Sequence, residues 1–177
     1  MVNHNVNHKT NELINSLKNK EKIRMLFVCL GNICRSPAAE TILRDIVAQA
    51  GDADRWVIDS AGIGNWHVGQ RADHRMRVHA IRRGLDITHR ARQVCADDFS
   101  RFDIIIGMDS SNIDDLRDIA PSADALDRIQ HINRWMGNVA SRYDYIPDPY
   151  YEGAEGFELV LDLLTDALHN LHHTITH

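Results

Sequence analysis

No apolar run in this chain approaches the length that spans a bilayer, and no apolar signal region opens it. A cytoplasmic protein is therefore the expectation. Cysteine is scarce: three residues, an odd number, read as reduced thiols and not as a disulfide framework. Positive charge is short as well. Twenty Lys and Arg face 25 Asp and Glu, and the net charge of −5 argues against a nucleic-acid-binding surface. It still allows a local basic rim around an anionic ligand. No internal repeat is present. What remains, 177 residues with 44% hydrophobic content, suffices for one domain with a full core.

Residues 1–22 are polar and rich in asparagine, and read as an extension, flexible at its start, with no assigned role. Leu13, Ile14 and Leu17 share one face of a short helix, whereas His4 and His8 lack acidic or cysteine partners and read as solvated. A mostly apolar run at 23–28 predicts a buried strand, and Ala38, Ala39, Ile42, Leu43, Ile46 and Val47 recur at helical spacing behind it. Gly51 suits the left-handed cap of that helix. A strand at 56–60, a glycine-rich loop at 61–69, a helix from Asp73 to Gly84 and a β-branched strand at 103–108 follow. A helix at 109–119, a short strand at 128–132 and a polar, aromatic connection at 133–147 complete the middle. The last helix starts after Gly153 and carries an apolar stripe to about His172, with 173–177 as a frayed tail. Gly62 and Gly64 are no dinucleotide signature, because no helix opens directly after them. Alternating strands and helices predict an α/β, three-layer, doubly wound, four-stranded parallel sheet over residues 23–172, with helices on both faces. Ligands of such sheets bind at the carboxyl ends of the strands.

Cys29-Leu30-Gly31-Asn32-Ile33-Cys34-Arg35-Ser36-Pro37 falls at that end of the first strand. Ser36 reads as the N-cap of the following helix and Pro37 as its first residue. Backbone N–H groups at a helix start bind anions, and Arg35 can close the ring around a tetrahedral oxyanion with its guanidinium fork. The same field favours the thiolate of Cys29, which lies beneath that anion as a nucleophile. Attack on a phosphomonoester needs a general acid for the departing oxygen. Asp148, held extended by Pro149 in a late loop, is the strongest candidate.

The motif V-C-L-G-N-I-C-R-S-P resembles the phosphate-binding loop of the low-molecular-weight protein tyrosine phosphatases. The resemblance extends over about residues 23–172. Asp148-Pro149-Tyr150-Tyr151 is similar to that family's D-P-Y motif, which implies Asp148 as general acid and Tyr150 and Tyr151 as aromatic flanks of the substrate. Asp59-Ser60-Ala61 and Thr88-His89-Arg90-Ala91-Arg92-Gln93 match further segments. They imply that Asn32, Ser60 and His89 support the phosphate loop. Ser36 matches the hydroxyl that eases departure of the thiolate, Asp109 a residue that helps hold the acid loop, and Trp66 an aromatic wall of the cleft. Ile63 departs from the pattern, standing where many members carry a small hydroxyl residue.

The family implies a cytoplasmic phosphotyrosine phosphatase, a monomer or weak dimer without metal or other cofactor. Its substrates would be phosphotyrosine proteins or small aryl phosphates, and inorganic phosphate and oxyanion analogues would bind the loop. Protein arginine phosphatases share the loop with Thr in place of Ile33, which disfavours that alternative. Thioredoxin-linked arsenate reductases need a further cysteine pair, and Cys95 stands alone in its region. A phosphate-binding module without catalysis would have lost Cys29, Arg35 or Asp148. The resemblance also implies that Cys34 can form a reversible disulfide with Cys29.

Overall fold

The computed structural model describes residues 3–137 and 142–177, with side chains from residue 8 onward, so the reading of His4 lies outside it. In chain order the elements are α1 (Asn3–Lys18), β1 (Ile23–Cys29), α2 (Arg35–Ala50) and β2 (Trp56–Gly62). Then come α3 (His74–Ile81), α4 (Asp98–Arg101), β3 (Ile104–Gly107), α5 (Ser110–Ile119), α6 (Ala123–Asp127), β4 (Ile129–His131) and α7 (Ala154–Thr176). The four strands form one parallel sheet in the order β2-β1-β3-β4. This is the expected three-layer α/β architecture. β1 lies inside the sheet, and alternation along it sends its side chains to two cores. Met25 and Phe27 join α2 and α7 on one face; Leu26 and Val28 join Phe99, Phe102, Ile113 and Leu116 on the other. Each such fully buried side chain is worth about 1.5–3 kcal/mol, which explains the unbroken apolar run from Met25 to Cys29 after the exposed Arg24, where an exposed sheet face would alternate.

Gly51 takes the left-handed conformation, φ +78°, and closes α2 through its N–H to the Ala48 carbonyl at 3.2 Å. Both chain ends depart from the sequence reading. α1 is packed: Leu17 is fully buried, Ile14 nearly so, and both belong to the core shared with α7. Arg55 donates to the carbonyls of Leu17, Lys18 and Lys20, at 3.2, 2.7 and 3.0 Å, satisfying groups that a helix C-terminus leaves free. His8 pairs with Glu12 at 3.1 Å. Residues 10–17 are thus part of the packed domain, stabilised by two apolar side chains that a mean over a polar segment hides. At the other end α7 runs to Thr176 with Ile175 buried, so 173–177 is a helix end anchored on the core and not a frayed tail.

Candidate active site

Residues 30–34 join β1 to α2, and the loop is tied outward by its carbonyls. Cys29 O accepts from Ile63 N at 2.9 Å, Leu30 O from Gly64 N at 2.9 Å, and Ile33 O from Asp73 N at 2.8 Å. Every described peptide bond is trans. C=O and N–H point to opposite sides of a trans peptide, so the N–H groups of Leu30, Gly31 and Cys34 turn away from those anchors. Gly62 makes the close approach possible: a Cβ there would stand 3.0 Å from the Asn32 nitrogen and the Gly31 carbonyl carbon. Gly64 answers a different demand, because the Trp66 ring occupies the space its Cβ would take, 1.9 Å away. These two contacts account for the paired glycines.

Asn32 bends the loop. It is the only non-glycine residue with positive φ among the described residues, +57°, a conformation asparagine tolerates better than most residues. Its side chain is fully used. Nδ2 donates to Ser36 Oγ at 2.8 Å and Ser60 Oγ at 3.0 Å; Oδ1 accepts from Arg92 N at 3.0 Å and His89 Nε2 at 2.8 Å. Because Asn32 donates to Ser36, the Ser36 hydrogen is free for Cys29 Sγ, 3.0 Å away, with the Ala61 carbonyl a weaker partner at 3.4 Å. Ser36 is therefore not the N-cap. α2 begins at Arg35 without a side-chain cap, and the Ser36 hydroxyl turns inward to the sulfur. Ser60 passes its hydrogen to Glu40 Oε1 at 2.9 Å. His89 Nδ1 lies 3.2 Å from the same oxygen and 3.5 Å from Asp59 Oδ1, so both ring nitrogens face acceptors. Burial pushes the Glu40 carboxyl above the usual range, against the pull of His89. The cluster therefore orders one hydrogen-bond direction from His89 through Asn32 and Ser36 to Cys29.

The Arg35 side chain is nearly inaccessible, yet three carboxyl or carbonyl groups meet it. Nη1 donates to Asp109 Oδ2 at 2.6 Å and to the Ile146 carbonyl at 3.1 Å, while Nη2 lies 3.6 Å from Asp148 Oδ2. Burial opposes its charge, but Cys29, Asp109 and Asp148 prevail and raise its pKa. Asp109 also caps α5 by accepting from Asn112 N at 2.8 Å. It pairs with Arg35, which in turn meets the Ile146 carbonyl and Asp148 of the loop that holds the candidate acid. The loop's own backbone tie is Ile146 N to Met108 O at 2.9 Å. Cys34, also in the loop, is driven the other way. Burial, then the charges of Asp73, Cys29 and Asp148, push its thiol up, so it stays protonated at neutral pH.

Cys29, Arg35 and Asp148 line one cleft of about 290 Å³, with Gly31, Ile33 and Cys34 at its base and Leu30, Trp66, His67, Tyr150 and Tyr151 towards its mouth. Trp66 is 63% exposed and Tyr151 93%, unusual for large aromatic side chains without a ligand to meet. A sulfur beneath inward-turned amides, a buried guanidinium and a partly exposed carboxylate form an oxyanion-transfer site. The model of the low molecular weight phosphotyrosine protein phosphatases matches residues 24–177. The chain belongs to this family.

A putative low molecular weight protein-tyrosine-phosphatase of Synechocystis is 43% identical over 149 residues, covering 84% of this chain and 94% of its own. The protein tyrosine phosphatase of Entamoeba histolytica, solved with Hepes in its active site, superposes with a TM-score of 0.82 at 38% identity. That match covers 86% of this chain and 96% of the other. The Drosophila arginine phosphatase DARP superposes with a TM-score of 0.79 at 32% identity, covering 85% and 96%. The phosphatase is thus a hydrolase of phosphoric monoesters. Among its described residues no helix is long and apolar enough to cross a membrane.

Three residues of the phosphatase's site escaped the sequence reading. His67 lines the mouth, its Nδ1 3.0 Å from Gln70 Oε1. Glu40 completes the cluster around His89. Arg75 pairs with Asp73 at 2.9 Å and donates to the Tyr150 carbonyl at 2.9 Å, two residues past Asp148, while its guanidinium stands 4.8 Å from the Phe157 ring centroid. Residue type alone signalled none of them; His67 adjoins Trp66, and Arg75 follows the Asp73 that caps α3. Glu40, Asp59 and His89 are the described residues that bring three potential metal ligands within 4.8 Å of one another. Ser60, Arg44 and Arg92 already engage the two carboxylates.

Proposed function

We propose that this phosphatase hydrolyses phosphotyrosine monoesters through a cysteinyl-phosphate. The observation that carries the reading is the convergence of Cys29 Sγ, Arg35 and Asp148 on one aromatic-mouthed cleft, with Ser36 Oγ 3.0 Å from the sulfur. The Cys29 thiolate attacks phosphorus, a P–S bond forms and the P–O bond to the aryl group breaks. Arg35 and the loop amides carry the charge on the non-bridging oxygens. Asp148 gives its proton to the departing phenolate, then takes one from the water that attacks phosphorus and breaks the P–S bond. The Ser36 hydrogen stabilises the thiolate as it leaves. Trp66, Tyr150 and Tyr151 supply flat apolar contacts for the tyrosine ring. Three free cysteines fit a reducing, cytoplasmic setting.

The kinship with an arginine phosphatase supports a second reading, phosphoarginine. The apolar, largely buried Ile33 and the aromatic mouth favour tyrosine over the cationic guanidino group. The test compares phosphotyrosine, phosphoserine and phosphoarginine peptides with wild type, Cys29→Ser and Asp148→Ala, with a chelator present. Phosphotyrosine turnover lost in Cys29→Ser, by about 10³-fold or more, and cut in Asp148→Ala is expected. Preference for phosphoarginine would replace the first reading with the second, and activity retained in Cys29→Ser would overturn the mechanism.

A further inference from the structure

The net negative charge of the chain is unevenly spread. Residues 67–92, which run from the cleft mouth through α3 to the segment carrying His89, hold seven arginines against two aspartates. Several of these arginines are neutralised: Arg75 by Asp73, Arg83 by Glu158 and Asp162, and Arg92 by Asp59 and Asp98. Arg71 and Arg90 are not. Both are exposed, and among the described residues no carboxylate lies within 4 Å of either. They are also direct partners in an isolated antiparallel bridge, framed by Gly69 N to Ala91 O and Ala91 N to Gln70 O, each 2.8 Å. Directly opposed residues of a bridge present their side chains on one face, where like charges destabilise the pairing. Among the described residues no carboxylate offsets that repulsion, and Arg90 meets only the uncharged Gly69 carbonyl, so an external anion is the group that would.

The bridge sits beside the cleft. The Arg90 guanidinium donates to the Gly69 carbonyl at 3.0 Å, at the end of the turn that carries Trp66 and His67. Two residues beyond Arg71, Asp73 N is bonded to the Ile33 carbonyl of the phosphate loop. Trp66 and Val68, 63% and 55% exposed, lie between as apolar contact surface. The acid loop lines the cleft through Asp148, Tyr150 and Tyr151, and Glu152 follows them in the chain. A polypeptide crossing this mouth meets cations on one side and carboxylates on the other.

We propose that Arg71 and Arg90 form a seat for acidic residues flanking the phosphorylated side chain, so that the enzyme selects phosphotyrosine in acidic polypeptide segments. The proposal rests on the phosphotyrosine reading above and adds the class of protein sequence around the phosphate. A seat of exposed charges acts through encounter and binding, so it changes kcat/KM for peptides and is weakened by salt.

The test measures kcat/KM for three phosphotyrosine peptides with acidic, neutral or lysine-rich flanks, beside 4-methylumbelliferyl phosphate. Wild type at low salt is expected to favour the acidic over the neutral peptide by about fivefold or more, falling below about twofold in 0.5 M NaCl. Arg71→Gln, which leaves the Arg90–Gly69 contact in place, is expected to remove most of the preference, and Arg71→Gln/Arg90→Gln all of it. Arg71→Glu is expected to move it towards the lysine-rich peptide. The small aryl phosphate is expected to be turned over within about twofold of wild type by Arg71→Gln, because it does not reach the seat. Equal kcat/KM for the three peptides in wild type, or a preference that survives both substitutions, overturns the proposal. So does arginine-dependent binding to vesicles containing anionic phospholipid without any peptide preference. Should no phosphotyrosine peptide be hydrolysed, the phosphotyrosine reading fails by itself. The seat is then judged by anisotropy of the labelled acidic and neutral peptides on Cys29→Ser, where equal affinities reject it.

Discussion

The two loops that meet over Cys29 are built on opposite plans. The phosphate loop, buried from Asn32 to Cys34, is tied outward by three carbonyls and inward by the Asn32 side chain, whose four hydrogen bonds use both its polar atoms. The acid loop rests on the surface, held by Ile146 to Met108 and Arg35, and by Arg75 to the Tyr150 carbonyl. One loop must keep its donors aimed at a tetrahedral anion, where preorganisation carries the catalytic benefit. The other must admit a protein side chain and release phosphate, and lid-like segments come from the weakly tied end of a structure.

Substitutions on the two sides should therefore fail differently. The largest effect after loss of Cys29 is expected for Asp148→Ala. It should lower kcat/KM for phosphotyrosine by about 10²–10³-fold and far less for an aryl phosphate with an acidic leaving group. Equal losses for both substrates would deny Asp148 its role as proton donor. Asn32→Ala comes next. It deletes four bonds and the side chain suited to positive φ, so we expect about 10–100-fold loss of kcat/KM on every substrate. About 1–3 kcal/mol of stability should go with it, read by denaturant unfolding. A loss confined to poor leaving groups would show that the network serves the acid loop instead.

Arg75→Gln tests the acid loop's tether. It should cost about three- to tenfold for phosphotyrosine, little for the activated aryl phosphate, and leave inorganic phosphate inhibition unchanged. Weaker phosphate binding would place Arg75 with the phosphate loop through Asp73. The smallest basal effect belongs to Cys34→Ser, within about twofold, since burial keeps that thiol protonated. Its signature is oxidative: peroxide inactivation reversed by thiols in wild type should become largely irreversible. Equal recovery in both proteins would remove Cys34 from the protection of Cys29.

Much of this contrast was legible in residues that adjoin one another. Cys29, Arg35 and the strand and helix around them are local in the chain, so spacing and periodicity sufficed to place the loop at the carboxyl end of β1. Ser36 was misread for the same reason: serine before proline is a good cap, but a sulfur 3.0 Å away competes for the hydroxyl and wins. α1 was read as an extension because its composition is polar, although Leu17 and Ile14 are enough to dock it on α7. Glu40 and Arg75 were invisible, because a surface-type residue in an amphipathic segment becomes part of a site only through a neighbour distant in sequence.

The strand–loop–helix unit, the thiol and guanidinium within it, the parallel α/β sheet and the aspartate–proline pair proposed as the acid can all be read along the chain. Those features follow from hydrophobic period, turn chemistry and side-chain reactivity, all of which act over a few residues. Asn32 as the hub of the site, the Asp109–Arg35 contact beside Asp148, and the bridging of Arg71 and Arg90 with no described carboxylate near either came from the packing alone. Those arrangements depend on which segments the sheet order brings together, and on the partners, burial and charge each side chain meets there.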